Sequence, residues 1–353
     1  MPTPSPGAPR PAADPGARDA GFFATLPKAE LHLHIEGSLT PARLLALGEK
    51  NGVELPYGDE DAVLAAYQFD DLQSFLDLYY QGMSVLRTEE DFRDLTLDYL
   101  EVCRRERILH CEIGFDPQAH TERGVPLPVV VSGIGAALAE ARRGWRQSGA
   151  LILNFLRHLP AEHAMVTLKA AEPYLDDVVA VGLDSSEVGF PPEPFADVFA
   201  RARSLGLRCV AHAGEEGPPA YVWGALDALQ VERIDHGIRA EEDAALLERL
   251  AASRIPLTVC PLSNVRLKAV PDLAQHNLRR LLHRGLLVTV NSDDPSYFGG
   301  YLSENFARCA AALGLTLAES AQLARNSFAA SFLPDSQRAR LTAEVDAWES
   351  LQA

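Results

Sequence analysis

The chain has 353 residues, 47% of them hydrophobic, which is enough for one large core with elaborations. Its formal net charge of −17 sets aside polyanionic partners such as DNA, RNA or an anionic membrane surface. No stretch reaches the ~18 consecutive apolar residues of a membrane-spanning helix, and Cys103, Cys111, Cys209, Cys260 and Cys309 are too scattered for a disulfide framework and read as buried, reduced thiols.

Residues 1–20 are mostly Pro, Ala, Gly and short polar residues with no apolar central segment. They predict a disordered tail rather than a secretory signal, with the cytoplasm as the default address. Residues 21–353 are then expected to form one domain. Short β-rich runs follow near residues 29–34, 108–115, 150–157, 178–184, 207–212, 233–236, 256–260 and 286–292. Amphipathic segments such as Pro194–Ser204 and Glu241–Ala252 separate them, with apolar residues at spacings of three and four. Eight alternating units predict an α/β fold, a (β/α)₈ TIM barrel, rather than an open sheet, for which a Gly-rich phosphate loop is missing. The first two strands lie unusually far apart. Phe75–Tyr80 and Asp91–Leu100 look helical, so a helical insertion across residues 36–107 is expected, either as a lid or as packing on the barrel side.

The first strand carries His32 and His34, alternating with Leu31 and Leu33, so both imidazoles share one face about 6–7 Å apart along the chain. Strand five ends in His212-Ala-Gly-Glu215, strand six in Asp235-His236-Gly237, and strand eight in Ser292-Asp293-Asp294-Pro295. Each cluster sits at the C-terminal end of its strand, where this fold does its chemistry. His32, His34, His212 and Asp293 make a three-nitrogen, one-carboxylate set suited to one Zn²⁺ ion with space for water, which ionises near neutrality when bound. Glu215, carried past His212 by Ala-Gly, can pass protons between that water and a substrate heteroatom. Its neighbour Glu216 reads as solvated or structural. His236 can orient the nucleophile, stabilise its charge or help deprotonate it, and Asp294 can accept a hydrogen bond from a heteroaromatic N–H in the pocket. The runs Phe115–Gln118, Gly182–Gly189 and Ser296–Tyr301 follow strands and are candidates for the pocket wall.

The runs Leu26–Gly37, His212–Glu215, Asp235–Gly237 and Ser292–Pro295 closely resemble the adenosine/adenine deaminase family of zinc aminohydrolases, in order and across roughly residues 25–333. The resemblance implies a metal-dependent hydrolase barrel with zinc, one ion per chain, on His32, His34, His212 and Asp293. It places the proton shuttle on Glu215, the nucleophile-orienting histidine on His236 and the purine N7 partner on Asp294. Phe115–Gln118, Ser185–Gly189 and Asp294–Tyr301 look like the adenine deaminase branch, which acts on the free base. Nucleoside deaminases place a glycine against the purine after strand four, where Ser186 or Glu187 stands here. The implied reaction is hydrolytic deamination of adenine to hypoxanthine and ammonia in purine salvage. Adenosine or an N6-substituted adenine is the alternative substrate, and a non-catalytic purine-binding barrel is the reading from another class. The implied partner is a small-molecule purine; oligomeric state is left open.

Overall fold

The structure is a computed structural model and describes residues 18–352. Most of the expected tail therefore lies outside the described residues. Ala20 opens the first helix, Ala20–Ala24, whose N-terminus is capped by the Asp19 carboxylate.

Eight strands, β1 (Lys28–Glu30), β2 (Ile108–Phe115), β3 (Ser148–Leu156), β4 (Val178–Asp184), β5 (Arg208–Ala213), β6 (Arg233–His236), β7 (Leu257–Val259) and β8 (Val288–Val290), are bonded in sequence order. All neighbours are parallel. Their near-continuous apolar character follows from burial on both faces, by helices outside and by side chains within. The ring closes between the first and last staves through a single parallel bridge, Leu33 to Asp293. The Asp293 N–H donates to His32 O and the His34 N–H to Asp293 O, both at 3.1 Å. The backbone that completes the barrel is the backbone that carries three of the expected ligands.

The regular ladders are shorter than the sequence suggested at this seam. β1 stops at Glu30 rather than 34, and β8 at Val290 rather than 292. Beyond them side chains take over from the ladder: Asn291 Oδ1 accepts from the Leu31 N–H at 3.0 Å, and Glu30 Oε1 from the Ser292 N–H at 2.8 Å. His32 and His34 thus project from an irregular rim, not from a regular strand.

Deeper in the barrel the interior is polar, and its Glu112 carboxylate is paired on both oxygens. Arg233, which opens β6, donates to Glu112 Oε2 at 2.6 Å and to Leu31 O at 3.1 Å. The other Glu112 oxygen receives the Phe332 N–H at 2.6 Å and faces His110 Nε2 at 3.2 Å. The Arg233 guanidinium also lies 4.7 Å from the Phe332 ring centre.

The expected insertion after β1 is helical. Pro41–Asn51, Glu60–Ala66 and Leu72–Gly82 precede the crossover helix Glu89–Arg105. That crossover starts with a capping box of Thr88 and Asp91, and it carries acids in its first turn and arginines in its last, in accord with its dipole. Helix Leu72–Gly82 lies across the mouth of the barrel. Phe75 packs on Phe298 with ring centres 4.7 Å apart, and Tyr67 stacks on Tyr297 at 4.6 Å. All five cysteines are free and buried, as expected. Among the described residues no helix is long and apolar enough to cross a membrane.

Candidate active site

The four expected ligands converge. His32 Nε2 and His34 Nε2 stand 3.1 and 3.3 Å from His212 Nε2, and Asp293 Oδ1 lies 3.4 and 3.6 Å from the first two. Their ligand atoms all fall within 4.8 Å of one another. Ligands on a tetrahedral ion with bonds of about 2.0–2.1 Å are about 3.3–3.4 Å apart, so the spacing matches the edges of such a polyhedron. Two N–H groups could not face each other at 3.1 Å. The His32 tautomer agrees: its Nδ1 lies 3.1 Å from Thr258 O, a group that only accepts, so the proton is on Nδ1 and the Nε2 lone pair is free. His34 Nδ1 faces Asp184 Oδ2 at 3.5 Å and His212 Nδ1 faces Asp235 Oδ2 at 3.7 Å, carboxylates placed to orient both rings. These residues fit a first-row divalent cation.

Two of the site residues sit in the left-handed backbone region that disfavours side chains. His236 has φ of 62° and Asp293 of 63°. Such strain persists where the surroundings hold it, and here it aims both side chains into the mouth.

Glu215 Oε2 approaches His236 Nε2 at 3.4 Å, while Oε1 is buried without a partner. Burial, followed by the charge of Asp293, pushes the Glu215 carboxyl well above its ordinary value. Asp294 is shifted the same way by burial and by Asp293, and its Oδ1 also lacks a partner. It packs on the backbone of Gly37, where a Cβ would come within 1.9 Å of Asp294 Oδ1. The glycine of His-Ile-Glu-Gly is there to let Asp294 in.

Leu72, Phe75, Leu76, Tyr79 and Tyr80 of the covering helix form an apolar roof over the pocket. Asp116, Asp184, Ser185, Leu267 and Phe298 complete the wall around the cluster. That mixed apolar and polar lining suits a small heterocycle. Of the three runs expected at the wall, Phe115–Gln118 contributes Asp116 and Ser296–Tyr301 contributes Phe298. Tyr297 packs behind them, against Tyr67. From Gly182–Gly189 it is Asp184 and Ser185 that reach the pocket. Ser185 has φ of 73°, and its hydroxyl meets Tyr80 Oη at 3.0 Å and His158 Nδ1 at 2.8 Å, joining the roof to the wall.

Glu187 does something else. It is 1% exposed, and its carboxylate accepts four consecutive backbone N–H groups, from Gly214 (2.6 Å), Glu215 (3.0 Å), Glu216 (3.0 Å) and Gly217 (2.8 Å). A Cβ on Gly217 would meet its Oε1 at 2.4 Å, which explains the glycine of Glu-Glu-Gly-Pro-Pro. From the other side Arg157 Nη1 donates to His212 O at 2.6 Å. The turn that carries Glu215 is therefore clamped between a buried carboxylate and a buried guanidinium. Sequence reasoning placed Glu187 at the wall and did not see Arg157; neither has a motif that marks the role. Glu216 is half-buried at the edge of this turn and does not line the pocket.

A family model described as adenosine deaminase matches residues 27–348. An adenine deaminase of Hahella chejuensis is 56% identical over 325 residues, covering 92% of this chain and 97% of the relative. Among solved structures, an adenine deaminase from Arthrobacter aurescens superposes with a TM-score of 0.91 at 50% identity, covering 93% of this chain and all of that one. An amidohydrolase from Burkholderia ambifaria, solved with bound Zn, superposes with a TM-score of 0.88 at 26% identity, covering 97% of this chain and 95% of that one.

Proposed function

Because the chain belongs to the adenosine deaminase family, we propose that it hydrolyses adenine to hypoxanthine and ammonia, as its relatives' names indicate. One observation carries the reading: Glu215 and Asp294, each with a buried, unpartnered oxygen, flank a three-histidine, one-aspartate cluster in a pocket of mixed apolar and polar lining. Residues 21–353 act as the single catalytic domain, and the reaction is assigned to purine salvage in the cytoplasm.

His32, His34, His212 and Asp293 would hold one zinc ion, which would supply a water-derived nucleophile at neutral pH. The chain's own groups do the rest. Asp294 accepts the hydrogen bond of a purine N7–H and so sets the ring's orientation. Glu215 gives its proton to N1, which breaks the aromaticity of the six-membered ring and makes C6 electrophilic. His236 steadies the attacking oxygen. The same carboxylate then recovers a proton from that oxygen and delivers it to the departing amino group. The closed roof of Leu72–Tyr80 excludes bulk water while the proton moves.

The test is a steady-state comparison of adenine, adenosine and N6-alkyl adenines, followed by the ultraviolet change on loss of the 6-amino group. Adenine is expected to have the highest kcat/KM. A higher value for adenosine would overturn the free-base reading.

A further inference from the structure

A line of buried groups runs from the backbone to His236, and no motif announces it. The Leu278 N–H donates to His276 Nδ1 at 3.0 Å; His276 Nε2 meets Asn264 Oδ1 at 3.2 Å; Asn264 Nδ2 meets His236 Nδ1 at 3.1 Å. Asn264, His276 and His236 are each at most 1% exposed, so water does not compete for these bonds.

The polarity of the line is set at its far end. A backbone N–H can only donate, so His276 Nδ1 must accept. Burial, followed by the charge of Arg280, lowers the His276 pKa to about 4, so the ring is neutral at pH 7 with its one proton on Nε2. That proton goes to the carbonyl oxygen of Asn264. The amino group of Asn264 is then the end that faces His236, and it donates to Nδ1. A donor at 3.1 Å leaves no room for a proton on Nδ1.

We propose that Asn264 and His276 are positioning residues that lock His236 as its Nε2–H tautomer, so that it meets the reacting centre as a hydrogen-bond donor and not as a proton acceptor. Nε2 points to where a donor is useful, 3.4 Å from Glu215 Oε2 and 3.7 Å from Asp293 Oδ2. A preset donor there stabilises negative charge that grows on oxygen in the transition state without reorganising at that moment. It also leaves proton transfer to Glu215 alone. Two attachments hold the segment in place. Asn264 sits in helix Pro261–Arg266, directly after β7, and Asn277 Nδ2 donates to Ile238 O at 2.8 Å, tying the His276 turn to the turn after His236. The consequence for turnover rests on the deaminase reading; the tautomer does not.

The experiment records ring nitrogen chemical shifts of the full-length, zinc-loaded protein labelled with ¹⁵N-histidine, with His236 assigned by its loss in His236→Gln. The expected spectrum shows a bare Nδ1 and a protonated Nε2. A protonated Nδ1 would overturn the proposal whatever the substrate proves to be. The second arm is Asn264→Asp, which keeps size but replaces the donor with an acceptor. It is expected to move the proton to Nδ1 and to lower kcat by ~10²-fold or more with KM little changed. Asn264→Asp with a reversed tautomer and a kcat within twofold of the parent would overturn the positioning role. His276→Gln, whose amide can still donate to Asn264, is expected to keep the parental tautomer and most of kcat, and His276→Phe to lose both. Equal kcat in these two variants would contradict the relay.

Discussion

The two ends of this barrel hold the same kinds of side chain and treat them oppositely. In the deep interior, Glu112 spends both oxygens on Arg233, His110 and the Phe332 N–H, and its carboxyl is held at about 2. Burial alone would raise it, but the Arg233 charge and the His110 hydrogen bond outweigh that. At the mouth, Glu215, Asp184 and Asp294 are just as buried, yet each has an oxygen without a partner, and each is pushed well above its ordinary value. Burying polar groups without partners costs stability, and the carboxylates gathered at the mouth leave acceptors free for a ligand, while Glu112 leaves none. The difference marks function more sharply than burial or charge does alone.

The comparison breaks most visibly at the metal set. His212→Ala removes one of the four proposed ligands, and metal analysis should find well under one equivalent, with turnover at background. A full equivalent in that variant would take His212 out of the cluster. At the paired end the loss should be of stability instead. Glu112→Ala leaves the Arg233 charge buried and alone, an expected cost of about 3–5 kcal/mol in denaturant unfolding. Because the folded pKa of Glu112 is depressed, its contribution is present above about 4.5 and lost as pH falls toward about 2. The stability gap between the parent and Glu112→Gln should therefore narrow across that window, and a constant gap would remove Glu112 as its source.

Glu187 joins the two ends, a fully satisfied carboxylate that serves an unsatisfied one. In Glu187→Gln only one oxygen remains to accept four N–H groups, so the Glu215 turn should shift. A misplacement of about 1 Å can cost up to ~10²-fold in rate. The expected pattern is a fall in kcat with metal content and KM nearly unchanged; an unchanged kcat would show that the clamp does not position Glu215. Asp294→Asn should act on binding, weakening the substrate by roughly 1.5–3 kcal/mol as a charge-assisted hydrogen bond is lost. Here the sign of stability reverses. The folded pKa of Asp294 is raised, so ionising it opposes folding at neutral pH, and the variant should unfold at an equal or higher denaturant concentration than the parent. A less stable Asp294→Asn would contradict the description of the mouth.

Much of the candidate site was legible in the chain because the proposed ligands, which the fold does bring together, come in pairs and runs at strand ends. His32-Leu-His34, His212–Glu215 and Asp293-Asp294 each combine a periodicity with a chemistry. The barrel was legible from eight apolar runs alternating with helical ones. What sequence could not reveal was support given by single residues across long separations. Glu187 reads as a loop carboxylate until the four N–H groups of residues 214–217 are seen around it. Asn264 and His276 lie 28 and 40 positions from His236 and gain meaning only when β6 and the segment after β7 lie side by side. The overlong first and last strands misled for a related reason. Alternation of side chains continues through His32–His34 after the ladder has stopped, since an irregular rim can alternate without regular pairing.

The central claim, that the unpartnered Glu215 carboxyl is the group that moves the proton, is tested most directly by Glu215→Gln. The amide keeps the size and reach of the carboxyl and cannot transfer its proton. Metal content and substrate affinity should match the parent while kcat falls by ~10⁴-fold or more, at the upper end of general acid–base effects. A Glu215→Gln protein that holds its metal and turns over adenine within tenfold of the parent would contradict the account.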